Sequence, residues 1–179
     1  DKEVTKYLLS DTEAILDYVA KNEPTFNSDK LGMIGHSFGG FEVMYLAGKT
    51  NRFKAAVAGA GIADLADYYY ADKDKGSLGM FSAENVQTKM IPPYADKMFN
   101  SSNPLNNIVS INTPMFLWTG ENDYRIRKEH SIKMYLGLWR QKKDAELLIY
   151  KDEEHYLLKP ENMKDLTKRI IDFFEEKLK

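Results

Sequence analysis

Cysteine is absent from the whole of this 179-residue chain, so no disulfide and no thiolate-held metal can contribute to the fold or the chemistry. The compartment stays open, because many exported proteins also lack cysteine. No apolar run approaches the roughly 20 residues that cross a bilayer. Neither charge sign dominates: 25 basic residues stand against 27 acidic ones, which leaves no basic block for nucleic acid and no acidic tail. Internal repeats, low-complexity tracts and a recognisable signal peptide are missing as well. The chain opens on Asp1 rather than Met, and we expect it to be a piece of something longer.

What is present suits one folded domain. Hydrophobic residues make up 43% and charged residues 29%, ordinary values for a globular chain with a real core. Ser10-Asp11-Thr12-Glu13 has the form of a helix capping box, and Ile15, Tyr18 and Val19 share one face of the helix that follows, which should stop before Pro24. Leu31 to Gly35 reads as a buried strand. Phe38 to Gly48 is apolar nearly all round, as in a buried helix, and Lys54 to Ala60 reads as a second strand. Residues 61–113 are less regular. Met115 to Thr119 makes a third strand, 128–141 an amphipathic helix with Ile132, Tyr135, Leu136 and Trp139 on its apolar face, and Glu146 to Tyr150 a fourth strand. Met163, Leu166, Ile170 and Phe174 mark a last amphipathic helix. Alternating strands and helices predict an α/β fold, with a parallel sheet of about four strands covered by helices on both faces. In such sheets the chemistry sits past the carboxyl ends of the strands.

One stretch falls at such an end. Gly35-His36-Ser37-Phe38-Gly39 places a serine between two glycines, after a strand and before a helix, which is the context of a nucleophile elbow. The turn is tight, and a side chain at Gly35 or Gly39 is expected to collide with neighbouring backbone. The competing reading is a glycine-rich turn with an incidental serine. A base and an acid should then follow in the order Ser, Asp, His. Asp123 stands directly after the third strand and His155 directly after the fourth. Alone, Asp123 reads equally as a capping aspartate and His155 as a surface histidine; in this order, each at a strand end, they favour a triad. The other two histidines have weaker claims. The His36 side chain should point away from the nucleophile, and His130 lies on an exposed-looking helix face and reads as solvated. Neither has metal-ligand spacing.

These residues define a chemistry. His155 would take the Ser37 proton during attack, Asp123 would hold the imidazole in the right tautomer, and the Phe38 backbone N–H would serve as an oxyanion donor. No cofactor is called for.

Four stretches carry a family likeness: "DKLGMIGHSFGGFEVMYLAGKTNRFKAAVAGAGIADL", "SNPLNNIVSINTPMFLWTGENDYRI", "DEEHYLLKPEN" and "LTKRIIDFF". Their order and spacing make the chain resemble the C-terminal part of the catalytic α/β-hydrolase domain of the prolyl oligopeptidase family of serine peptidases, in its dipeptidyl-peptidase-IV-like and acylaminoacyl-peptidase-like branches. The resemblance implies a peptide substrate, catalytic roles for Ser37, Asp123 and His155, and a specificity pocket lined by Phe38, Ile62, Leu65 and Tyr68. For Ile62 and Leu65, plain core packing is the equal alternative. It also implies that residues 1–179 are a partial hydrolase domain, without the upstream strands, the upstream tyrosine that serves as second oxyanion donor, and the β-propeller. The strand before Ser37 would then have an unpaired edge, open to a second copy of the chain, and turnover by these residues alone would be weak. The parent protein is expected in the periplasm or secreted, with the cytoplasm as the alternative. Three readings stand together: a serine peptidase cutting short peptides through an acyl-enzyme, a carboxylesterase with the same triad, and a catalytically incomplete half-domain that self-associates.

Overall fold

A computed structural model describes residues 5–71 and 97–179 of the chain. The elements run α1 (Leu8–Asn22), β1 (Gly32–His36), α2 (Phe38–Ala47), β2 (Ala55–Gly59), α3 (Leu65–Tyr69), α4 (Lys97–Ser102), a 3₁₀ turn over Pro104–Ser110, β3 (Met115–Gly120), α5 (Glu129–Arg140), β4 (Ala145–Tyr150) and α6 (Pro160–Lys177). The strands among the described residues form one parallel sheet in the order β1-β2-β3-β4.

The two central strands are buried along their whole length, as their near-continuous apolar sequences require of a parallel sheet covered on both faces. Strand alternation divides their side chains between two cores. Ala56, Ala58, Met115 and Leu117 join Val43, Met44 and Leu46 of α2 and Met134 and Leu138 of α5, with Leu8, Leu9 and Leu16 of α1 packed against them. Ala55, Val57, Phe116 and Trp118 face the other way, onto Leu166 and Phe173 of α6. Helices therefore cover both faces. β1 pairs only with β2 among the described residues, and Ile34 at its middle is 59% exposed.

Three expectations about helix faces and ends are corrected. α1 begins before the anticipated capping box: Ser10 lies in its first turn and its hydroxyl donates to the Tyr7 carbonyl, while the Glu13 carboxylate accepts from Thr50 and Arg52. Its inner face is Leu8, Leu9 and Leu16, and Ile15 and Tyr18 are exposed. α5 is rotated from the expected face: Met134 and Leu138 are fully buried, whereas Leu136 and Trp139 face out. In α6 Met163 is exposed, and the buried positions are Leu166 and Phe173.

Candidate active site

The turn between β1 and α2 is a strained one. Ser37 has φ 61° and ψ −120°, a left-handed conformation that costs a non-glycine residue on the order of 1–3 kcal/mol. The turn is held because the Ser37 N–H donates to the Gly59 carbonyl of β2, 2.8 Å away, and its own carbonyl accepts from Phe41. Gly35 is required by contact: a Cβ there would lie 2.2 Å from the Gly39 carbonyl oxygen. Gly39 is a correction, since a Cβ there would meet nothing within 4 Å. α2 opens at Phe38 directly after Ser37, so the Phe38 N–H is one of the helix's first donors, which find no intrahelical acceptor.

The three side chains expected to act together form one hydrogen-bonded row. His155 Nε2 is 2.8 Å from the Ser37 hydroxyl, and His155 Nδ1 is 2.8 Å from Asp123 Oδ2. A carboxylate oxygen only accepts, so Nδ1 carries the proton and Nε2 presents a lone pair to the serine O–H. The other Asp123 oxygen accepts from the Arg125 and Ile126 backbone N–H groups, each at 2.9 Å. Asp123 and His155 are buried. Ser37, Asp123 and His155 thus come from the carboxyl ends of β1, β3 and β4. Such a row can move a proton from a serine hydroxyl to a histidine while a carboxylate stabilises the cation that forms.

The loop carrying His155 depends on a residue that the sequence did not single out. Glu153 is 2% exposed. Its carboxylate accepts from the Leu158 and Lys159 backbone N–H groups and from the Asn162 side chain. Burial pushes this carboxyl upward, but those hydrogen bonds outweigh it and hold the group below its ordinary value. The Glu153 carbonyl accepts from Asn122 N–H, tying the loop after β4 to the loop after β3. That loop crosses so close to β3 that a Cβ on Gly120 would lie 2.0 Å from the Glu154 carbonyl oxygen. The available signal was an acidic side chain a few residues before the Pro160 that opens α6.

The expected pocket residues lie together. Ile62, Leu65 and Tyr68 are buried in a cluster with Phe41, Tyr69 and Ile126, and half-buried Phe38 packs on its edge beside Ser37. Ile62 and Leu65 have no exposed surface, so the described residues offer Phe38 to the site, with the others behind it. His130 is a correction: it is buried, not solvated. The Asp64 N–H donates to its Nδ1, and Lys133 and Arg127 hold Asp67, so α5 braces the short helix bearing Leu65 and Tyr68. Burial pushes the His130 pKa down to about 4, against the pull of Asp67. His36 packs its ring on His155, 4.7 Å between centroids, and its Nε2 lies 2.8 Å from the His155 carbonyl oxygen.

The family model described as the prolyl oligopeptidase family matches residues 1–179. Among curated relatives, a dipeptidyl-peptidase 5 of Porphyromonas gingivalis is 32% identical over 150 residues, 79% of this chain and 21% of its own length. The uncharacterized peptidase YuxL of Bacillus subtilis is 26% identical over 160 residues, 89% of this chain and 24% of its own. The chain therefore spans less than a quarter of the length of these relatives. Among solved structures, the acylaminoacyl peptidase of Pyrococcus horikoshii superposes with a TM-score of 0.88 at 21% identity, covering 99% of this chain and 29% of that one. Dipeptidyl peptidase 4 of Porphyromonas gingivalis gives 0.82 at 18%, covering 99% and 24%. These likenesses fix the fold as part of an α/β-hydrolase.

Proposed function

This chain belongs to the prolyl oligopeptidase family, and on that premise we propose that it carries the catalytic residues of a serine peptidase acting on short peptides through an acyl-enzyme. The observation that supports this most strongly is the unbroken row from the Ser37 hydroxyl through His155 to Asp123, with both hydrogen bonds at 2.8 Å.

The Ser37 oxygen attacks the scissile carbonyl as its proton passes to His155 Nε2, and the imidazolium is stabilised by Asp123. The oxygen that gains charge accepts from the Phe38 N–H; loss of one such donor costs about 2.7–4 kcal/mol. His155 then gives the proton to the leaving amine as the C–N bond breaks, which leaves the acyl group on Ser37. Water, deprotonated by His155, releases the acid and restores the hydroxyl. Phe38, backed by the buried Ile62, Leu65 and Tyr68, forms the apolar wall that receives the substrate side chain next to the cut bond. Relatives named dipeptidyl-peptidase and acylaminoacyl peptidase suggest a peptide with its amino end close to that bond.

Two measurements test this reading. A fluorophosphonate probe should label Ser37 and leave Ser37→Ala untouched. Peptide anilides should then be cleaved in preference to short acyl esters; the reverse preference makes the protein a carboxylesterase with the same row of residues. A second reading, a half-domain that pairs with another chain, is favoured by β1 pairing on one side only among the described residues, with Ile34 exposed. A folded sample that resists the probe while weighing as a dimer would select it.

A further inference from the structure

His36, Gly59 and Trp118 stand side by side in register across β1, β2 and β3. The middle position is a glycine because the indole lies over it: a Cβ on Gly59 would sit 2.2 Å from the Trp118 ring. Trp118 thereby reaches across β2 and stacks on His36, with ring centroids 5.2 Å apart and planes within 10°. The His36 ring also touches the rings of His155 and Tyr156, at 4.7 and 5.1 Å between centroids. Burial lowers its pKa. Its Nε2 lies 2.8 Å from the His155 carbonyl oxygen, which can only accept, so His36 donates from Nε2 and keeps Nδ1 bare.

We propose that His36 is a positioning residue: clamped by Trp118 over Gly59, it holds the His155 main chain at a fixed distance from Ser37. The role rests on the proposed triad. His155 is gripped at its side chain by Asp123 and at its carbonyl by His36. His36 is also the residue next to Ser37 on β1. Nucleophile and base are therefore referred to the same strand, and β1 cannot shift without carrying both. Asp123 orients the ring of His155, and Glu153 closes the loop downstream; neither ties it to β1.

The test uses the full natural polypeptide, with Ser37→Ala as blank. His36→Phe keeps a flat ring for Trp118 but removes the donor; His36→Gln puts an N–H near the lost one. His36→Phe is expected to lower kcat for a peptide anilide, and the rate of fluorophosphonate labelling, by about 10- to 100-fold, the scale of a misplaced catalytic group. KM should stay unchanged, and His36→Gln should recover most of the loss. A Phe variant as fast as wild type, or a Gln variant as slow as Phe, overturns the proposal. The ring ¹⁵N shifts of the unmutated protein decide the same point without turnover. They should show His36 neutral with the proton on Nε2; a proton on Nδ1, or a charged ring at neutral pH, contradicts the clamp. A folded wild type that never labels sinks the triad, and the nitrogen spectrum still settles whether His36 makes this bond.

Discussion

β3 and β1 are the same kind of strand in very different positions. β3 is paired on both sides, all of its residues are buried, and Leu117 at its middle is wholly enclosed. β1 is paired on one side among the described residues and shows Ile34 to solvent. Yet both feed the site, since Asp123 follows β3 and Ser37 follows β1. The acid follows a strand paired on both sides, while among the described residues the nucleophile and the base follow β1 and β4, each paired on one side only. Stability and chemistry should therefore separate between the two strands.

The largest effect expected is chemical and belongs to the edge. Ser37→Ala should remove turnover by a factor on the order of 10⁶, the scale for losing a triad serine. It should leave the melting temperature unlowered, because it deletes one hydroxyl from a strained turn; calorimetry beside an anilide assay reads both. The next effect is structural and belongs to the centre. Leu117→Ala opens a cavity where nothing can collapse into it and should cost about 2–5 kcal/mol of unfolding free energy, measured by urea titration. If Ser37→Ala proved the more destabilising of the two, the separation would fail.

A smaller effect probes the apolar cluster beside the elbow. Tyr68→Ala should raise KM for a peptide by roughly tenfold, about 1.4 kcal/mol, and that for a small acyl ester far less. Equal changes on both substrates would remove Tyr68 from the pocket. Glu153 gives a pH-dependent effect. Its carboxyl is held below its ordinary value of 4.5 in the folded protein, so its contribution to stability is present above that pH and is lost as the pH falls through the lower folded value. Thermal unfolding scans should show wild type losing stability below about pH 4.5, and Glu153→Gln should flatten that fall. An unchanged acid slope in the variant would assign it to other carboxylates.

The smallest effect returns to the edge. Ile34→Lys should change the stability of the monomer by no more than about 0.5 kcal/mol, yet abolish any self-association through β1. Residues 1–179 alone are expected to associate and to hydrolyse dipeptidyl anilides poorly. A monomeric chain with robust Ser37-dependent turnover would show that the open edge costs nothing.

The strands are legible because each is a short apolar run bounded by glycine, proline or charge, and the order of Ser37, Asp123 and His155 along the chain, each after a strand, assigns them to one end of the sheet. Helix faces were harder to read. In α5 the apolar residues fill more than one face: Ile132, Tyr135, Leu136 and Trp139 offer one stripe, and Met134 and Leu138 another. What decides between them is the position of β3, β4 and the 3₁₀ turn over Pro104–Ser110, which the helix's own sequence does not encode. The same blindness hid His130, whose burial comes from Tyr68 and the short helix packed over it. Ser10 and Glu13 had the right spacing for a cap, but α1 starts three residues before Ser10's expected successor, and Arg52 claims the carboxylate. Glu153 and His36 act on backbone groups brought near only by the fold.

The claim that the three residues work as one unit is tested most directly by mass spectrometry after brief exposure to a fluorophosphonate. The adduct is expected on Ser37 in the unmutated chain and should be lost from a folded His155→Ala variant, which keeps the serine and removes its base. An unmodified wild type that is demonstrably folded, an adduct on another residue, or equal labelling of Ser37 with and without His155 would contradict the account.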